Sequence, residues 1–169
     1  MAYVDYEYYK SLYGEEKAIP ETDFNRLLWD AEREIDKATS GVDGVQKLQV
    51  AFPTDLYDSE AVKRCVLEVI VFLSKLEIAE ESVNSLYQYE KRADGSLQGK
   101  VVSSVSAGNE SISYAVGKSA DTAISNALKD RQSKDMAVYQ IISSRLSGVS
   151  DANGVNLLFG GRYPYRVEV

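Results

Sequence analysis

The chain has 169 residues, enough for one domain of ordinary size that buries a core without staples. A net charge of -7 makes it a poor candidate for gripping phosphate backbones. The single cysteine excludes a disulfide framework, and the absence of histidine removes Ser-His-Asp and Cys-His catalysis and the commonest zinc ligand. No run approaches the ~18 apolar residues of a membrane span. The opening MAYVDYEYYK carries three tyrosines and two acids in its first eight residues, unlike a signal peptide. Composition alone therefore predicts a cytosolic protein.

In chain order, Asp5 to Tyr13 predicts a short helix, with Tyr6, Tyr9 and Tyr13 at helical spacing and Gly14 as its stop. Pro20 opens a longer helix, Glu21 to Thr39, whose stripe is Phe24, Leu27, Leu28, Ala31, Ile35 and Ala38. Trp29 lies off that stripe. A nearby loop covering it is the simpler expectation, and contact with another subunit is the alternative. Ser40-Gly41 and Asp43-Gly44 break the helix, and a loop through Phe52-Pro53 follows.

Ser59 to about Ala79 reads as the central helix. Val62, Cys65, Val66, Val69, Phe72, Leu73 and Leu76 form its stripe, thickened by Leu67, Ile70 and Val71. Cys65 on that stripe is expected to be an inert buried thiol. Glu80 to Arg92 reads as a helix extension or a lead-in loop, and Asp94-Gly95 and Gly99 frame a flexible link.

Val101 to Val116 alternates small polar and apolar residues on both sides of Gly108-Asn109, which predicts a β-hairpin. A lone two-stranded ribbon is marginal in water and has two open edges, so it calls for a partner. Thr122 to Asp130 and Ser133 to Ser147 predict two further helices, the second ended by Gly148. The remaining residues alternate weakly and are broken by Asn153-Gly154, Gly160-Gly161 and Pro164. They predict an extended, partner-seeking tail that is mobile when alone.

The fold expectation is mainly α: a small helical bundle with one inserted β-hairpin and an extended C-terminal tail. Residues 1–150 form the helical domain, with the hairpin at 101–116, and 151–169 the tail.

No motif carries chemistry. Gly95-Ser96-Leu97-Gln98-Gly99-Lys100 lacks the Walker spacing and a following helix. Asp151-Ala152-Asn153-Gly154 is a fragment of calcium-loop spacing without the later acid, and reads as a turn. The acid pairs Glu15/Glu16 and Glu80/Glu81 are adjacent and point apart on a helix. No catalytic, cofactor-binding or metal-ligating residues are assigned, and no cofactor is expected. Twelve tyrosines instead suit contact surfaces, since tyrosine joins a large apolar area to a polar tip at low entropy cost. The hairpin positions expected at an interface are Val102, Ser104, Ser106, Asn109, Ser111, Ser113 and Tyr114. Those of the tail are Leu157, Phe159, Arg162, Tyr163, Tyr165 and Arg166.

Four features occur in order: Tyr8-Tyr9…Tyr13-Gly14 with Ile19-Pro20-Glu21; Phe24…Leu27…Ala31…Ile35-Asp36…Thr39; Ser103 to Tyr114; and Asn156-Leu157-Leu158-Phe159-Gly160-Gly161-Arg162. This set resembles the head-tail connector (head-completion adaptor) proteins of long-tailed bacteriophages. The resemblance implies a structural virion protein at the head-tail junction, made in the bacterial host cytoplasm. It implies a homo-oligomeric ring, commonly of about twelve copies, docked beneath the portal protein and above a stopper or tail-completion protein. Double-stranded DNA would pass through its lumen without sequence-specific binding, and no membrane is involved. The alternatives are a stopper or tail-completion protein, and a small enzyme that works without histidine.

Overall fold

The computed structural model describes residues 2–85, 87–91, 97–101, 104–107, 110–113 and 122–165. These are mainly helical. They divide into two units, one of Met1–Ser74 with Asp135–Val169, the other of Lys75–Lys134. The residues after Asp151 thus fall in the first unit with the main helices.

In the first unit, α1 (Tyr6–Tyr13) starts where Asp5 accepts a hydrogen bond from the Tyr8 backbone N–H at 2.7 Å. It stops at Gly14, whose φ of 79° only glycine adopts without strain. Tyr9 is buried, and its ring stacks on Phe24 at 5.1 Å between centroids. A 3-10 turn (Glu15–Lys17) leads to α2 (Glu21–Thr39). The stripe read from the sequence is the buried face of α2, with Phe24, Ala31 and Ile35 fully covered and Ala38 half-buried. Each large side chain of that face, Phe24, Leu27, Leu28 and Ile35, contributes about 1.5–3 kcal/mol on burial, and the alanines less.

A short helix α3 (Lys47–Val50) follows, and then α4 (Leu56–Ser85). Asp55 caps α4 by accepting from the N–H groups of Tyr57 at 2.8 Å and Asp58 at 3.2 Å. All seven stripe residues of the central helix are buried, as are Leu67 and Ile70. Cys65 is wholly enclosed, and burial pushes its thiol up to about 12. The main part of α6 (Arg131–Arg145) belongs to this unit as well and buries Val138 and Ile142. Arg145 pairs with Glu68 of α4.

In the second unit the chain leaves α4 at Ser85, six residues beyond the end the apolar stripe suggested. Tyr87–Lys91 (β1) runs antiparallel to Leu97–Val101 (β2), with Tyr87 opposite Val101. Ser104–Ala107 (β3) runs antiparallel to Glu110–Ser113 (β4), with Ser104 opposite Ser113 and Ser106 opposite Ser111. The helix α5 (Thr122–Ala127) buries Ile124 and Ala127. Asp130 caps α6 by accepting from the Ser133 N–H at 2.7 Å, which holds its carboxyl below the usual range. Among the described residues no helix is long and apolar enough to cross a membrane.

Candidate docking surface

The C-terminal residues do not trail away from the helices. They form a strap, Val149 to Tyr165, fastened across the loop that joins α2 to α3. The central fastener is Lys47, the first residue of α3 and 0% exposed. Its ammonium donates to the carbonyl oxygens of Asn156 at 3.3 Å, Leu157 at 2.8 Å and Phe159 at 2.5 Å. It also lies 5.8 Å from the centre of the Phe159 ring. Burial pulls the Lys47 pKa below its ordinary value, with Asp151 and Asp43 acting the other way.

Asp43 is the second fastener. Its Oδ2 accepts from the Tyr163 backbone N–H at 2.8 Å, and that bond holds its carboxyl below the usual range. Backbone bonds add to both. The Val42 N–H donates to Gly160 O at 3.3 Å, and the Ala152 N–H to Ala51 O at 3.2 Å. Asp58 on α4 accepts from the Ser150 N–H at 3.1 Å. Gly41 faces Gly161 so closely that a Cβ on Gly41 would collide with the Gly161 carbonyl oxygen. Only glycine permits that approach.

Within the strap, buried Asp151 organises the turn. Its Oδ1 accepts from the N–H groups of Asn153 at 2.9 Å and Val155 at 2.8 Å. Its Oδ2 accepts from the Tyr163 hydroxyl at 2.6 Å, which in turn accepts from Asn153 Nδ2 at 2.9 Å. Burial, then Asp151, raises the Tyr163 pKa. Both carboxylate oxygens are therefore engaged by the chain's own donors, and Asp151-Ala152-Asn153-Gly154 is a turn. Among the described residues no cluster of histidine, cysteine, aspartate or glutamate suits a metal ion.

The predicted tail positions separate into three groups. Leu157 is 0% exposed and Tyr163 5%, so both are consumed inside the chain's own fold, and the expectation that they face a partner is corrected. As far as Tyr165 the tail is hydrogen-bonded to the chain's own residues. The reason is that buried Lys47, surface Asp43 and, within the strap, buried Asp151 satisfy its backbone. Phe159, Arg162 and Tyr165 are on the surface. Arg166 lies outside the described residues. Of the hairpin positions, Ser104, Ser106, Ser111 and Ser113 fall in β3 and β4. Val102, Asn109 and Tyr114 lie outside the described residues.

Phe159 and Tyr165 are not alone on this end of the unit. Val42 is exposed beside Gly160, and Leu56 and Tyr57 are exposed at the start of α4, whose Asp58 holds Ser150. Exposed apolar side chains thus stand on the strap and on residues at or next to those that hold it. Trp29 is 62% exposed, its ring 5.3 Å from the Arg33 guanidinium. No loop among the described residues covers it.

Two polar clusters hold α1 and the N-terminus instead of forming a reactive site. The Tyr3 hydroxyl donates to Asp36 Oδ1 at 2.6 Å, and Gln49 Nε2 bridges Tyr3 at 2.8 Å and Asp36 Oδ2 at 2.9 Å. The Tyr8 hydroxyl donates to Glu60, which also accepts from Arg64 at 2.9 Å. Burial and then Glu60 push Tyr8 up to about 12. Sequence reasoning did not single out Lys47, named Asp43 only as a helix breaker and Asp36 only within the family pattern. The turn read at Asp151-Ala152-Asn153-Gly154 was the nearest local signal for these anchors.

Comparison of the chain with protein-family models, with curated proteins and with solved structures finds no match.

Proposed function

We propose that the chain is the subunit of a head-tail connector ring, a structural virion protein that completes the head beneath the portal and continues the DNA channel toward the tail. The observation that supports this reading is the exposure of Val42, Leu56, Tyr57, Phe159 and Tyr165 on and beside a strap that is itself well fastened. Large exposed apolar side chains suit a contact surface with another protein. The order of sequence features that resembles the connector family supplies the partner. In this reading Phe159, Arg162, Tyr165 and Arg166 meet the portal, and the arginines set register against acidic groups.

The segment 101–116 is, in the same reading, an inserted β-hairpin whose open edges are met by neighbouring copies of the ring or lie along its lumen. The paired serines, Ser104 with Ser113 and Ser106 with Ser111, give it small uncharged surfaces. The inner wall is neutral or negative, because lysine and arginine there would bind phosphates and act as a salt-dependent brake on passing DNA. The chain performs no catalysis. The experiment is electron microscopy of purified particles carrying a tagged copy of the chain, with Phe159→Ala/Tyr165→Ala as the variant. The reading requires a ring at the head-tail junction and loss of head binding by the variant. A chain absent from particles, or full head binding by the variant, overturns it.

A further inference from the structure

We propose that residues 158–165 are a releasable latch, clasped to the body by Lys47 and Asp43, that opens as a unit while the helices remain folded. The latch stands whether or not the partner is a portal.

Three observations converge on it. The first is how little apolar surface holds the segment down. Between 158 and 165 only Tyr163 is buried, and Phe159, Gly160, Arg162, Pro164 and Tyr165 are exposed. A segment with few buried apolar contacts opens at a lower free energy than the core. The Tyr163 hydroxyl donates to Asp151 and accepts from Asn153, and the Tyr165 hydroxyl donates to Asn153 O, so opening also breaks these side-chain bonds to the turn at 151–154.

The second is the nature of the fasteners. Across the seam, the segment is held by the Lys47 ammonium on Phe159 O, the Val42 N–H on Gly160 O and the Asp43 carboxylate on the Tyr163 N–H. All three of these fasteners on the latch backbone come from one short stretch, residues 42–47. The third is the state of Lys47. Its hydrogen-bond acceptors are all carbonyls, and it is wholly buried. Opening removes only Phe159 O from that ammonium, leaving Asn156 O and Leu157 O in place, and water reaching the freed side offsets part of the bond lost. The opened segment carries the Tyr163 ring and unpaired backbone groups, the requirements for adding to another chain in extended form.

Native-state hydrogen exchange on the full-length chain tests this, comparing the amides of Val42 and Phe159 with those of Val66 and Val69 in α4. The expected result is that Val42 and Phe159 exchange together, more than about tenfold faster than the α4 amides, with little dependence on low urea. Asp43→Ala then speeds both by a further factor of about ten and leaves α4 unchanged, although Asp43 bonds to neither amide. Lys47→Met has the same effect if that variant folds, and Asp43→Ala, altered at the surface, carries the test if it does not. Exchange of Val42 and Phe159 at the α4 rate with the α4 urea dependence overturns the proposal. So does an Asp43→Ala variant in which only Tyr163 is affected.

Discussion

Ending the chain at Gly154 removes an apolar-looking tail, yet it should cost the fold much of its stability. Leu157 is wholly buried and Tyr163 almost so. Each is worth about 1.5–3 kcal/mol in surface removed from water, so their joint loss is about 3–6 kcal/mol. Lys47 changes this little: it loses three acceptors but regains water where the strap lay. Against the total of about 5–15 kcal/mol that holds an ordinary domain, the truncated chain is left marginal. At about 2–4 °C per kcal/mol for a chain of this size, its melting temperature falls by about 6–24 °C. The assay is thermal and urea unfolding followed by circular dichroism on the full and shortened chains. Leu157→Ala, expected at about 2–5 kcal/mol, is the point variant that separates core loss from general shortening. Equal midpoints for all three would refute the reasoning, and would mean that the strap rests on the body without stabilising it.

Cys65 should resist thiol reagents at pH 8 until the protein unfolds, since it is enclosed and its thiol is pushed up to about 12; fast stoichiometric labelling of the native chain would contradict this. Tyr3, Tyr8, Tyr13 and Tyr163 all have raised pKa values in the folded chain, so the folded state keeps protons that the unfolded state gives up. Their contribution is complete below about pH 10 and is lost as pH rises through the raised values. The melting temperature should therefore fall on the alkaline side, and Tyr3→Phe should flatten that fall. Lys47, lowered, contributes a smaller slope of the opposite sign. Gly41→Ala should cost about 1–3 kcal/mol because its Cβ meets backbone. Gly161→Ala should cost less, because its Cβ meets only the half-exposed Phe159 ring, which can turn aside. Equal unfolding midpoints for the two glycine variants would argue against that close approach.

The helical stripes were legible in the sequence because periodicity records burial directly. Phe24 through Ile35 and Val62 through Leu76 are covered as their spacing predicted, and α2 begins and ends where Pro20 and Ser40-Gly41 place it. The start of α4 was read three residues late, since Leu56 and Tyr57 are helical but exposed and fall outside the stripe. The strap was misread for a related reason. Its order comes from Lys47, Asp43 and Asp58, more than ninety residues earlier, acting on its backbone, and such bonds leave no period in the strap's own side chains. Trp29 shows the converse: its position off the stripe marks exposure, and no covering loop need follow.

The hydrogen bonds of Lys47 to the strap all end on main-chain oxygens, and every residue type carries one. Apart from the Phe159 ring beside the ammonium, the clasp thus reads where the chain runs and not what it displays. Position 158 can be rewritten without loosening it, provided the backbone still passes the ammonium and Leu157 keeps its place. An outer face free to drift over a seat that does not is a means of changing partners without redesigning the fold.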